Sequence, residues 1–336
     1  MSKKVYHLSH TDLDGYGAQL VTLKEFGKEN IRFFNSGYGK QIDKNLDTIF
    51  SMIKKGDQLI ITDLNLTIEQ SDKVNFYQEL QNFDLVLLDH HGTGKPSAEK
   101  YEWYFLDESR CAAKITYDYF KPQDQFLSDI IDIVEANDLW KEDLPDMLEK
   151  GKSLSQMIFD SRNVFPKVLA EEEVHMLLHN IYEMGKLLAT GHKIPEAENA
   201  IYGIQRSYFD PKNELDNPIH VARIHYMYPL ILEKDISIPI EINGHKGILF
   251  YGLSSIFQEF SHIYLRRNTD IDFVVNVSDQ GRMSFRTAKD NVSMSDMCRM
   301  YFNGGGHPKA SGGSLPESGN QKFSQEEAFA SFIEQY

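Results

Sequence analysis

The stretch FDLVLLDHHGTGKP (residues 83–96) decides how the chain is read. A run of apolar residues, Leu85 to Leu88, stops at Asp89, His90, His91 and Gly92. A short apolar run bounded by turn residues predicts a buried strand over 85–88. A carboxylate and two imidazoles at the end of a buried strand are costly unless something pairs with them. The stretch is therefore either a polar loop or a metal site, and the residues upstream decide between the two.

Upstream, strands are expected at 5–9, 31–35 and 58–62. Helices are expected at 15–28, 41–53 and 68–81, the second carrying Ile42, Leu46, Ile49, Phe50 and Ile53 at helical spacing. Strands alternating with helices predict βαβ units and a parallel sheet. Their continuous apolar character fits burial on both faces. In such a sheet, ligands bind beyond the carboxyl ends of the strands. The first strand runs into His10-Thr11-Asp12-Leu13-Asp14-Gly15 and the third into Asp63. Three strand ends thus carry Asp and His to one edge. If the first of these segments is extended, His10, Asp12 and Asp14 share one side of it. Gly15 permits a sharp turn into the following helix. Facing carboxylates repel, and a divalent cation removes the conflict. Mixed carboxylate and imidazole ligands suit Mn²⁺ first, with Mg²⁺, Co²⁺, Fe²⁺ and Zn²⁺ as alternatives. Five or more ligands suggest two ions.

Further along, helices are expected at 110–120, 125–137 and 168–188. Residues 191–235 read as an irregular connection, with Pro195, Pro211, Pro218 and Pro229 as breakers. Strands at 238–242, 247–251, 273–277 and 283–287 follow, with helices at 254–265 and 293–302. Trp103 and Trp140 read as core residues. Cys111 and Cys298 are the only cysteines and lie in no paired motif, which fits a reducing compartment. The N-terminus shows no signal-peptide pattern, and no apolar run approaches the ~18–20 residues that span a bilayer. A cytoplasmic protein is expected. The 336 residues carry 35 Lys and Arg against 50 Asp and Glu, a formal charge of −15. That balance argues against tracking along long nucleic acid, which needs many cations against phosphates.

The triplet Asp89-His90-His91 resembles the signature of the DHH phosphoesterases. His10-x-Asp12-x-Asp14-Gly15 is similar to that family's first motif and Asp63 to its second. The resemblance implies one more Asp past the triplet: Asp138 in Glu135-Ala136-Asn137-Asp138-Leu139-Trp140, ahead of Asp132 and then Asp129. Gly304-Gly305-Gly306-His307-Pro308-Lys309 resembles the marker of the DHHA1 substrate domain, and Met283 to Thr287 its strand with a phosphate-binding Arg286. The whole looks closest to the nanoRNase B-type oligoribonucleases. Several branches place a ligand His where Leu8 stands, so His10 is either a ligand or a hydrogen-bond partner of one.

The fold implied is α/β: an N-terminal parallel-sheet DHH domain with a helical extension (1–190), a connecting region (191–235) and a smaller C-terminal α/β DHHA1 domain (236–336). The activity implied is two-metal hydrolysis of short oligoribonucleotides to nucleoside 5′-monophosphates from the 3′ end. Cyclic nucleotides, linear signalling dinucleotides and pAp are the other substrates of such chemistry, and a non-catalytic nucleotide sensor is the contrasting class. The implied ligands are His10, Asp12, Asp14, Asp63, Asp89, His90 and Asp138. Asp63, His91 and Asp89 take the catalytic roles, and His91, Arg110, Arg286, Gly304, Gly305, Gly306 and His307 hold substrate in a cleft between domains. The three glycines would leave backbone N–H groups open to a phosphate. No membrane partner is expected, and a homodimer is among the assemblies allowed.

Overall fold

The computed structural model describes residues 3–212, 218–319 and 321–336. It divides into two compact units: Met1–Arg162 with Val174–Tyr208, and Asn163–Glu173 with Phe209–Tyr336.

The first unit opens with β1 (Val5–Ser9), α1 (Leu13–Phe26), β2 (Ile31–Asn35), α2 (Lys40–Met52), β3 (Gln58–Thr62), α3 (Ile68–Gln81) and β4 (Asp84–Asp89). A short α4 (Lys95–Lys100) leads to β5 (Tyr104–Leu106), and the helices α5 (Ala112–Phe120), α6 (Leu127–Asp138), α7 (Pro145–Asp160), α8 (Ala170–Ala189) and α9 (Ile194–Phe209) follow. The five strands form one parallel sheet in the order β2-β1-β3-β4-β5. The chain leaves β1 toward β2 and leaves β3 in the opposite direction, toward β4. The crevice beyond the ends of β1 and β3 is therefore the place where such sheets bind ligands. The apolar positions expected on α2, Ile42, Leu46, Ile49, Phe50 and Ile53, are all buried, and they pack with Tyr6 and Leu8 of β1 and with Leu59 and Ile61 of β3.

The opposite face of β1 is not apolar. His7 is fully buried there, between the hydroxyls of Thr22 (2.7 Å from Nδ1) and Thr62 (2.8 Å from Nε2). Thr22 donates its own proton to the Gln19 carbonyl, so Nδ1 donates to Thr22 and Nε2 accepts from Thr62. Both nitrogens of a neutral ring are thereby satisfied, and burial pushes the His7 pKa down to about 3.

The second unit contains α10 (Ile219–Leu232), β6 (Ser237–Ile242), β7 (His245–Tyr251), α11 (Phe257–Arg267), β8 (Phe273–Val277), β9 (Arg282–Thr287), α12 (Met294–Tyr301), β10 (Gly305–His307), β11 (Ala310–Ser314) and α13 (Gln325–Ile333). The strands form a mixed sheet in the order β10-β11-β9-β8-β7-β6, with only β7 and β8 parallel. Helices α12 and α13 bury Met294, Met297, Phe302, Phe329 and Phe332 against one face. On the other face Phe260 and Tyr264 of α11 meet Phe250 edge-on.

Residues 191–235 are not irregular: they carry α9 and α10, apart from 213–217, which lie outside the described residues. Two of the four prolines there start helices rather than break them, while Pro211 lies in the turn just past the end of α9, as a breaker would. Pro195 sits in the first turn of α9 and Pro218 caps α10, positions where the missing N–H costs nothing. Pro229 is the exception, inside α10.

The buried neutral imidazole makes stability depend on acid. The unfolded state takes up a proton below about pH 6.5 that the folded state refuses until about pH 3, so stability is complete above that range and falls as pH drops through it. In urea unfolding, the stability of wild type minus that of His7→Gln is expected to shrink by up to ~1.4 kcal/mol per pH unit below about 6.5. A difference that does not change between pH 7.5 and 5 contradicts this.

Candidate metal centre

The residues after β1 do not continue as a strand. Asp12 is the N-cap of α1, and its Oδ1 accepts the Gly15 N–H at 3.0 Å. Asp14 lies in the first helical turn, almost fully buried, and its two oxygens accept the N–H groups of Ala112 and Ala113 at 2.8 and 2.7 Å, at the start of α5. Both carboxylates thus reach the centre from a helix N-terminus, where backbone donors favour negative charge, and not from an extended segment. Gly15 is required by close approach: a Cβ there would run into the carbonyl of His10. Arg162, at the end of the first unit's α7 segment, donates to the Thr11 carbonyl and holds the loop from outside.

Asp63, directly after β3, stands in the left-handed region at φ 55°, rare for a residue with a side chain. Its amide donates to the Leu88 carbonyl, which ties the end of β3 to the end of β4. Its carboxylate is 2% exposed and central: 3.5 Å from His90 Nε2, 3.7 Å from His10 Nδ1 and 3.9 Å from His91 Nδ1. His90 Nε2 also lies 3.7 Å from Asp14 and 3.6 Å from Asp138, the last residue of α6. Three overlapping groups result that could each hold a metal ion: His10 with Asp12 and Asp63, Asp63 with His90 and His91, and Asp14 with His90 and Asp138.

Asp89 belongs to none of these groups. It is fully buried, with Oδ1 accepting His91 Nδ1 at 2.7 Å and Oδ2 accepting the Tyr104 hydroxyl at 2.6 Å. It sits behind His91 and fixes that ring. Asp132 pairs with Lys114 at 2.5 Å and Asp129 is exposed, so of the three aspartates on α6 the fold brings Asp138 to the centre. Arg110 is held by Asp107 and Asp118. Trp103 is partly buried and stacked on Tyr101, but Trp140 is 60% exposed, against the core position expected for it.

The electrostatics of the cluster call for positive charge. Burial, then the carboxylates of Asp14 and Asp12, pushes Asp63 well above the usual carboxylate range. Burial raises Asp14 to about 6, and burial together with the Asp14 charge raises Asp138 to about 7. Burial lowers His90. Asp12 is the opposite case: burial pushes it up, but the hydrogen bonds from His10 and the Gly15 amide hold it at about 2. Asp63 Oδ2, His90 Nε2 and Asp138 Oδ2 are buried polar atoms with no hydrogen-bond partner. Unpaired buried acceptors of this kind, imidazole and carboxylate together, are the donor set of a divalent cation site.

The sequence reading missed Tyr38. It follows β2, and its ring lies 5.1 Å from that of His10 and 6.1 Å from that of His91, with its hydroxyl 3.3 Å from His91 Nε2. The available signal was positional: β2 ends at the same sheet edge as β1, β3 and β4, and Tyr38 stands between Gly37 and Gly39.

In the second unit, the expected glycine loop is a strand, β10, at the edge of the sheet. Only Gly305 faces open space. A Cβ on Gly304 would strike the Gly312 carbonyl, and Gly306 has φ +147° close against Ala310 and Ser311. The register aligns Arg286 with Ala310 and Ala310 with His307. Residues directly opposite share a face, so Arg286 and His307 flank a small alanine on one side of the sheet. The next row on that side is Ser284, Gly312 and Gly305. The result is a shallow floor of small residues with a guanidinium at one side and an imidazole at the other.

No family model matches the chain. Over 348 aligned residues it is 30% identical to a protein named 3′,5′-cyclic-nucleotide phosphodiesterase from Helicobacter pylori (strain ATCC 700392 / 26695), covering 93% of each. It is 26% identical to the protein named oligoribonuclease NrnB from Bacillus subtilis (strain 168), covering 93% of this chain and 73% of that one. A crystal structure of an uncharacterized protein from Helicobacter pylori G27 superposes with a TM-score of 0.76 at 29% identity, over 99% of this chain and 100% of the other.

A cation that relieves this cluster should stabilise the fold. Mn²⁺ at one hundred times its dissociation constant is expected to add ~2.7 kcal/mol per site to unfolding stability. The Asp63→Asn, His90→Ala double variant should gain nothing. An equal gain in the variant would place the metal elsewhere.

Proposed function

The chain belongs to the DHH/DHHA1 phosphoesterases and is a metal-dependent phosphoester hydrolase, and from that premise we propose that it cleaves short oligoribonucleotides to nucleoside 5′-monophosphates, proceeding from the 3′ end. The observation that carries the chemistry is the trio of overlapping carboxylate and imidazole groups around Asp63. The preference for short RNA is supported by the likeness to oligoribonuclease NrnB and by the net charge of −15, which disfavours long polymers. The likeness to a cyclic-nucleotide phosphodiesterase favours a second reading, the same chemistry on a 3′,5′-cyclic nucleotide.

His10, Asp12, Asp14, Asp63, His90 and Asp138 would hold two divalent cations, Mn²⁺ by preference. Such cations supply a water acidified toward neutrality and a counter-charge for the phosphoryl group. Within the protein, Asp89 and Tyr104 hold His91 by Nδ1 and leave Nε2 facing outward, where it can hand a proton to the leaving oxygen. Arg286 offers a planar pair of donors to a phosphate, His307 a ring for a base, and the edge strand β10 its unpaired backbone groups. Two free, buried cysteines fit a cytoplasmic, reducing setting.

With Mn²⁺, ribonucleotide dimers to pentamers should release mononucleotides faster than cyclic AMP or pAp is hydrolysed. A 5′-labelled trimer should give labelled dimer first. Failure to release mononucleotide from any of these oligomers would sink the lead reading, and preferential turnover of cyclic AMP would install the second. Asp89→Asn should lower kcat by ~10²-fold or more, the scale of a lost general acid, with bound Mn²⁺ unchanged. Loss of metal in that variant would make Asp89 a ligand after all.

A further inference from the structure

We propose that Tyr38 is a substrate-positioning residue: its hydroxyl leaves His91 and donates to an oxygen of the substrate's phosphate when that phosphate reaches the metal centre. The inference rests on the phosphodiesterase reading and adds a residue to it.

The first argument is a shortage of donors. The centre is built of acceptors, and a phosphate brings more. His10 Nδ1 is bonded to Asp12, and His91 Nδ1 to Asp89. Arg110 is occupied by two carboxylates, and Arg162 gives one Nη to the Thr11 carbonyl while its Nε is buried. At the mouth, His91 Nε2 and the Tyr38 hydroxyl face each other at 3.3 Å. That is beyond the ~2.7–3.2 Å usual for a hydrogen bond between nitrogen and oxygen, so the contact is weak and exchangeable. An entering phosphate oxygen can take both partners at once and loses little by separating them.

The second argument is placement. Tyr38 is 47% exposed, so no burial fixes it, while its ring touches the rings of His10 and His91 on either side of Asp63. It therefore overhangs the carboxylate shared by two of the three groups. The turn that carries it is anchored at its base rather than at its tip: Gln41 Oε1 accepts the Gly37 N–H, and Asn45 donates to the Asn35 carbonyl. Gly39, at φ 74°, starts α2 immediately behind it. The side chain can shift by an ångström or two without disturbing the helix or the strand.

The test compares wild type with Tyr38→Phe, which keeps the ring and removes only the hydroxyl. With Mn²⁺ bound, inorganic phosphate affinity is measured by calorimetry, and hydrolysis is measured on a diribonucleotide and on bis(4-nitrophenyl) phosphate. Loss of a hydrogen bond to a charged oxygen should weaken phosphate binding about tenfold or more, lower kcat/KM on both diesters by a similar factor, and leave Mn²⁺ content unchanged. Unaltered phosphate affinity overturns the proposal. So does loss of Mn²⁺, which would assign Tyr38 to the metal centre itself. A loss confined to the diribonucleotide also overturns it, because it would put Tyr38 against the base. If wild type cleaves neither diester, the hydrolase reading fails, and the phosphate titration still decides Tyr38.

Discussion

Four carboxylates converge, Asp14 and Asp63 almost fully buried, Asp138 partly buried and Asp12 half exposed, and the rest of the first unit is arranged around the cost of that. Buried like charges repel strongly in a low dielectric and tend to protonate. Two backbone devices offset part of the repulsion. The start of α1 donates to Asp12 and the start of α5 donates twice to Asp14. Asp63 and Asp138 receive no such help, and they keep unpaired oxygens aimed into the cluster. The site is thus half neutralised by the fold and half left for a cation.

The scaffold makes that arrangement repeatable. Parallel strands put all their carboxyl ends on one edge, and the reversal of direction between β1 and β3 opens a crevice there. Asp63 tightens the crevice further, because its left-handed backbone lets its amide reach β4 while its carboxylate stays at the centre. Behind the edge, polar residues are buried in linked pairs. Tyr104, Asp89 and His91 form one line, and Thr22, His7 and Thr62 another. Each line fixes an imidazole ring and its tautomer, and rigid second partners of this kind are what give a metal site its geometry.

Much of this was legible in the chain. β1, β2, β3 and α3 fall on the residues expected: the strands are short runs dominated by apolar residues, and α3 begins at the Thr67–Gln70 capping box and stops at Asn82. The convergence of His10, Asp12, Asp14, Asp63 and His90 follows from strand order alone. What was not legible depends on tertiary partners. Helices α9 and α10 carry proline and, in α9, glycine, which read as breakers, and packing overrides them. β5 is only three residues long. His7 looked like one more residue of an apolar strand, and nothing local reveals the two threonines that satisfy it. Tyr38 carries no motif, since an aromatic side chain in a loop gains meaning only from what surrounds it. The extended reading of Asp12 and Asp14 reached the right place by the wrong geometry: a helix cap and the first turn replaced two strand positions.

Two of the acids serve the fold as well as the site, and this bears on how such a protein would decay. In a duplicate copy released from hydrolysis, Asp63 would be free to drift to glycine or asparagine, either of which tolerates its left-handed backbone and removes an unpaired buried charge. Asp12 and Asp14 would not be free, because α1 and α5 would lose the acceptors at their N-termini. Descendants that have ceased to catalyse would therefore keep the first motif and shed the second. A surviving Asp-x-Asp-Gly in a related chain marks a folded domain, while a surviving Asp at the position of Asp63 marks a working one.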